Sequence, residues 1–240
     1  DSEGAISDYS KAISTSPEYA IFYYNRGIAK GKLKDYQGAI ADYNKAIQIN
    51  PLYVDAYNNR GITKSDLGDY QGAIADHTKA IEINPLYVDA YYKRGLAKKK
   101  LGDYQGAISD YSKALVSDAK NPTILTNRSS AKNTLRDYQG AISDATMAID
   151  IDATSAVAYK NRGAAKYNLG DYRGAISDYT RVIVIDPGRV NIYLYLGDAK
   201  IKSGDGRGGC SDYKKAASLG NQGIAQWLNS EGGAWCRNMR

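Results

Sequence analysis

The sequence predicts an all-α fold of stacked helical hairpins, and two observations carry that prediction. DYQGAI stands at residues 35, 69, 103 and 137 and DYRGAI follows at 171, a constant interval of 34 residues without insertions. DSEGAI at residue 1 precedes the run, and GDGRGGC continues it with Asp205 one period beyond Asp171. Each period also holds two stretches of helical periodicity separated by turn signals.

Residues 1–19 carry only the second stretch and read as the second helix of an incomplete unit. Their Ile6, Ala12 and Ile13 form an apolar stripe that, if uncovered, offers a face for self-association. In complete units the first helix runs like AYNNRGITKSDLG (56–68), with Tyr57, Gly61, Thr63 and Leu67 at helical spacing. Gly68 suits a helix C-terminus and Asp69 an N-cap. The second helix runs like YQGAIADHTKAIEIN (70–84), with Ala73, Ile74, Ala80, Ile81 and Ile83 recurring, and Asn84-Pro85 ends it. The small Gly61 and Ala73 let the two helices approach closely. One hairpin cannot bury its apolar face alone, so neighbours must stack. Residues 220–240 change character: Ile224, Trp227 and Leu228 share one helical face and read as a terminal cap, followed by a less regular tail around Trp235.

These residues resemble the tetratricopeptide repeat (TPR) family. With Val54 as position 1 of a 34-residue unit, Tyr57, Gly61, Ala73, Ala80 and Pro85 fall on the family's signature aromatic, Gly, Ala, Ala and Pro positions. The frame gives units 20–53, 54–87, 88–121, 122–155, 156–189 and 190–219. The resemblance implies a right-handed superhelical solenoid and a non-catalytic protein-interaction scaffold whose concave groove holds ligands. Ala119 and Ala153 depart from the family at the closing Pro, and Ser129 at the packing Gly.

One departure is systematic. Position 7, usually Leu in the family, is Arg26, Arg60, Arg94, Arg128 and Arg162; position 11, often aromatic there, is Lys30, Lys64, Lys98, Lys132, Lys166 and Lys200. Position 23 of every second helix is Asp: Asp42, Asp76, Asp110, Asp144, Asp178 and Asp212. An unpaired buried Arg is costly, so the pattern predicts an Arg–Asp ladder inside the hairpins, with Lys stems packed over it. Leu196 leaves Asp212 to Lys200 or solvent. Much of the formal +6 charge, from 32 Lys+Arg against 26 Asp+Glu, is thereby structural.

The tyrosines sort the same way. Eighteen of the 22 fall on four recurring positions, as at Tyr43, Tyr53, Tyr57 and Tyr70, and read as packing or capping. Tyr24, Tyr92, Tyr167 and Tyr195 fall outside those four positions. They lie on the first-helix face opposite the repeating residues, the face that the resemblance places in the groove. Its polar members are Asn25, Asp55, Asn58, Asn59, Asp89, Lys93, Lys99, Lys100, Asn127, Lys160, Asn161 and Asp198. Asparagine amides can bond an extended backbone, and tyrosines add apolar area with a polar tip. In YYKRGLAKKKLGDY (91–104), Arg94 and Lys98 belong to the ladder, whereas Lys93, Lys99 and Lys100 beside Tyr92 are candidates to meet an acidic ligand. The expected partner is therefore an extended, acidic peptide. The family's carboxylate clamp is incomplete here, because Tyr24 and Ile28 stand where it needs Lys and Asn.

Catalytic chemistry finds no foothold, and no cofactor or metal is expected. His77 stands where other repeats have Tyr43, Tyr111 or Tyr179 and reads as a packed side chain. GDGRGG (204–209) lacks the Lys-Ser/Thr of a phosphate loop. Self-assembly through residues 1–19 is the alternative reading. RNA binding ranks below it, because so many basic residues have in-register Asp partners. No apolar run is long enough to span a bilayer, no signal-peptide pattern opens the chain, and the setting expected on balance is soluble and cytoplasmic. Cys210 and Cys236 either form one bridge pinning the tail to the last hairpin or remain two thiols.

Overall fold

A computed structural model describes residues 1–238, and these contain fifteen helices and no strand. The helices group into two compact units, Asp1–Ala119 and the remainder from Lys120. The first holds α1 (Ser2–Thr15) and three hairpins: α2 (Ala20–Lys32) with α3 (Tyr36–Ile49), α4 (Val54–Asp66) with α5 (Tyr70–Ile83), and α6 (Val88–Lys100) with α7 (Tyr104–Ser117). The second holds α8 (Pro122–Thr134) with α9 (Tyr138–Ile151), α10 (Ala156–Asn168) with α11 (Tyr172–Ile185), and α12 (Val190–Lys202) with α13 (Gly206–Ser218). Short α14 (Gln222–Asn229) and α15 (Ala234–Asn238) follow. Within each unit a hairpin's second helix packs on the first helix of the next, the arrangement of a helical-repeat solenoid.

Local chemistry explains the repeated phrase. Asp35, Asp69, Asp103, Asp137, Asp171 and Asp205 cap their helices, each accepting the N–H of the glycine three residues on at 2.8–2.9 Å. A Cβ on Gly38, or on its equivalents, would collide with the capping carboxylate, which is why Gly follows in every DYQG or DYRG. The turn before the cap takes a left-handed residue, Gly68 at φ 83° for example, whereas Lys34 and Arg136 hold that conformation at φ 64°.

Packing inside the hairpins rests on small residues. Ala39, Ala46, Ala73, Ala80, Ala107, Ala114, Ala141, Ala148 and Ala175 are fully buried. Gly27, Gly95, Gly163 and Gly197 lie under the rings of Tyr43, Tyr111, Tyr179 and Tyr213, which leave no room for a Cβ. The fourth hairpin makes a reciprocal exchange. Ser129 replaces the glycine and Ala145 the tyrosine, and Ser129 Oγ donates to the Ala141 carbonyl at 2.8 Å.

The C-terminal helices cover the last hairpin. Leu228 and Cys236 bury against Cys210 and Tyr213, with Ile224 and Trp227 packed beside them. Cys210 and Cys236 are bridged, with Cα atoms 5.1 Å apart, which ties α15 to α13.

Candidate functional site

The ladder comes first, because it decides which charges remain for a partner. In five hairpins the Arg fork grips the Asp carboxylate: Nη2 of Arg26, Arg60, Arg94, Arg128 and Arg162 donates to Oδ1 of Asp42, Asp76, Asp110, Asp144 and Asp178 at 2.5–2.7 Å. Nε of the first four donates to Oδ2 at 2.8–2.9 Å, and Nε of Arg162 at 3.0 Å. Lys30, Lys64, Lys98, Lys132 and Lys166 then place Nζ 2.8 Å from the same carboxylates. Each Asp is thus a buried anion held by two cations. The lysines do more than the stem packing expected of them, since their charged ends reach the carboxylate.

The fork also reaches backwards. Nη1 of Arg26, Arg60, Arg94 and Arg162 donates to Ser10, Asn44, Thr78 and Thr146 on the preceding second helix, at 2.6–3.2 Å. One side chain therefore joins three helices. Asp212 lacks its Arg and has Lys200 at 2.7 Å. Burial pushes its carboxyl above the usual range, and the single ammonium only partly opposes that.

On the first unit's first-helix face the variable tyrosines rest on repeating ones. The Tyr24 ring lies 6.1 Å from Tyr43 and 4.9 Å from Tyr53, and Tyr92 lies 6.0 Å from Tyr111. Asn59 donates its amide to the Tyr24 hydroxyl at 2.9 Å. Asn25 is partly exposed and lines a shallow cleft of about 240 Å³ with Tyr9, Ile28 and Lys32. Lys93 Nζ sits 5.5 Å from the centre of the Tyr92 ring, a cation–π contact, and Lys100 is exposed. Burial, assisted by Asp89, raises the Tyr92 hydroxyl above its ordinary value, so it stays a neutral donor.

Asn58 turns out differently from the sequence expectation of an outward amide. It is buried, donating Nδ2 to Asp89 at 2.7 Å and offering Oδ1 to His77 Nδ1 at 3.0 Å. Asp89 is occupied by the same contact. The small imidazole in place of a phenol leaves room for this chain of contacts across two hairpins. Burial holds the imidazole down at about 4, so the ring is neutral and Nδ1 is the donor.

In the second unit Asn161 is likewise buried, bridging to the Thr126 carbonyl at 3.0 Å while its own carbonyl accepts from Asn133 at 2.9 Å. Asn133 went unnoticed in the sequence because an exposed-looking Asn is unremarkable without knowledge of its neighbour. Asn127 folds its amide back onto the Thr123 carbonyl at 3.0 Å. Lys160, Tyr167 and Tyr195 do come together, around a cleft of about 410 Å³ that also touches Ala164, Asn168, Tyr179 and Asp198.

The repeat itself is matched by known families. The tetratricopeptide repeat model matches residues 20–53 and 156–189. Further models of the same repeat match 42–75, 65–102 and 88–121, so that 20–121 is covered without a break. The chain belongs to the tetratricopeptide repeat family.

Solved structures agree with this fold. The chain is similar to a MamA protein at 26% identity and TM-score 0.66, over 74% of this chain and 95% of that one. It is similar in fold to YrrB, a TPR protein with an unusual peptide-binding site, at 21% identity and TM-score 0.68, over 78% and 97% of the two chains. The C-terminal part of a TPR protein from Cytophaga hutchinsonii matches at 17% identity and TM-score 0.76, over 95% and 94%. No curated protein sequence matches the chain. TPR proteins are in general protein-interaction scaffolds, and among the described residues no His, Cys, Asp and Glu cluster could hold a metal.

Proposed function

We propose that this TPR chain is a non-catalytic scaffold that holds an extended, acidic peptide segment on the first-helix face, with carboxylates near Lys93, Lys99 and Lys100 and an apolar side chain against Tyr92. The observation that carries the reading is the division of the lysines along α6. Lys98 turns inward to Asp110 at 2.8 Å, whereas Lys93 lies over Tyr92 and Lys100 is exposed. A cation laid on an aromatic face offers charge and apolar area in one place, which suits a segment mixing carboxylates with apolar residues. YrrB, similar in fold, carries a peptide-binding site, which supports the class of ligand. The five paired arginines leave fewer basic side chains for a polyanion and count against the RNA reading.

The test is capture of a partner from native extract, followed by calorimetry with the wild type and the Lys93→Glu/Lys99→Glu variant. The double change should weaken binding by about 1–3 kcal/mol while leaving the circular dichroism spectrum intact. Unchanged affinity would make these lysines a solvated face and refute the reading.

A further inference from the structure

We infer that the cleft of the second unit is a specificity pocket for an aromatic side chain flanked by a carboxylate, one ring and one acidic group presented by the same partner segment. The inference deepens the peptide-binding reading above and rests on it.

Three phenols line the cleft, and Lys160 and Asp198 place one charge of each sign on its wall. Tyr179 is its floor, buried, with Tyr195 standing 5.8 Å from it and 44% exposed. Tyr167 forms another wall, its ring braced edge-on by Tyr172 at 5.4 Å. An exposed ring beside a buried one, with about 410 Å³ between the walls, is the geometry that accepts a further ring by offset or edge contact. Burial raises the Tyr167 hydroxyl above its ordinary value, and nearby Asp198 adds to this, so this wall stays neutral.

The charges decide what accompanies the ring. Three tyrosines with a nearby carboxylate could suggest a cage for a cation. Asp198, however, keeps its charge but has one carboxylate oxygen held by the Tyr213 hydroxyl in a short hydrogen bond, which leaves Lys160 as the charged group of this wall with no partner of its own. Lys160, on the same lining, has no ion pair or hydrogen bond among the described residues, and it would repel a second cation. A smaller cleft of about 280 Å³ adjoins the first, sharing Lys160 and Tyr195 and adding Arg189 and Asn191. A ring seated in the larger cleft would thus carry its neighbouring carboxylate to Lys160 at the shared edge. Net charge agrees: residues 120–240 hold 17 Lys+Arg against 11 Asp+Glu, whereas residues 1–119 hold 15 of each.

The test uses nuclear magnetic resonance titration of the full isotope-labelled chain with three probes: acetyl-Phe-Glu-amide, acetyl-Phe-Lys-amide and acetyl-Ala-Glu-amide. The first should shift the amides of residues 160, 167 and 195 and bind more tightly than the other two. Lys160→Glu should weaken it about fivefold and reverse the preference between the Glu and Lys probes. Tyr195→Ala, at an exposed position, should weaken both Phe probes while leaving spectra elsewhere unchanged. Preference of the wild type for acetyl-Phe-Lys-amide, equal binding of acetyl-Ala-Glu-amide, or no shift at these residues would each overturn the inference. Lys93→Glu/Lys99→Glu should leave this titration untouched. A loss of partner binding in that variant, with the cleft silent in the wild type, would sink the pocket alone; the reverse pattern would sink the acidic-segment reading alone.

Discussion

Replacing Asp110 with Ala tests whether the ladder holds the hairpins together. Asp110 is 2% exposed and accepts two charged hydrogen bonds from Arg94, at 2.9 and 2.7 Å, with Lys98 Nζ at 2.8 Å. A hydrogen bond to a charged group contributes about 1.5–3 kcal/mol net, and orphaning a buried charge costs about 3–5 kcal/mol. The Arg94 and Lys98 side chains remain 16% and 20% exposed and can swing towards water, which places the expected loss near the lower end, about 3 kcal/mol. The molecule carries its own control. Asp212 has one ammonium partner and a carboxyl already raised by burial, so Asp212→Ala should cost under about 1 kcal/mol. Repeat arrays unfold piecewise, so the readout is native-state hydrogen exchange of α6–α7 and of α12–α13, with urea unfolding alongside. Equal losses for the two variants, or a loss below about 1 kcal/mol for Asp110→Ala, would refute the ladder as a stabilising device.

Two further outcomes follow from the same geometry. His77 is held at about 4 from an ordinary 6.5, first by burial; Asp76 and Asp89 oppose this, and Lys93 and Arg94 add to it. Its folded value is depressed, so its contribution to stability is complete above pH 6.5 and is lost as pH falls towards 4, by up to about 3 kcal/mol. Urea midpoints between pH 7 and 4 should show that slope in the wild type and a shallower one in His77→Gln. The Cys210–Cys236 bridge spans 26 residues, worth about 3.5 kcal/mol in the chain-entropy model. Cys236→Ser should speed amide exchange in α14 and α15 and leave α2 to α7 unchanged; unaltered exchange there would mean packing alone seats these helices.

Much of this was legible because the chain repeats itself. Thirty-four-residue spacing, Asp caps and in-register Arg and Asp define the hairpins and their internal pairs without coordinates. The backward reach of Arg Nη1 was not legible, since Ser10, Asn44, Thr78 and Thr146 are three residue types united only by place. The face was half legible. Tyr24, Tyr92 and Tyr195 emerged by standing outside the four regular tyrosine positions, and they do pair with repeating rings. Asn58 and Asn161 followed the same logic and were buried instead, because their burial depends on Asp89 and His77 in one case and on Asn133 and Thr126 in the other. Periodicity assigns a face; only neighbours decide whether a polar group on it is already spoken for.

The fourth hairpin's exchange of Ser129 for glycine and Ala145 for tyrosine bears on how such a surface can be rewritten. The other hairpins seat a phenol, or the His77 imidazole, over a glycine, and the residue above it, whether Tyr24, Asn58 or Tyr92, is chosen to suit that floor. The fourth has no such floor, and Thr126 in the corresponding place turns its hydroxyl to the Pro122 carbonyl at 2.6 Å. A tyrosine grafted at 126 alone would have nothing beneath it. It would have to travel with Ala145→Tyr and Ser129→Gly. The unit of change at this place in the chain is therefore a trio of side chains, and a new ring on the face arrives together with the floor that seats it.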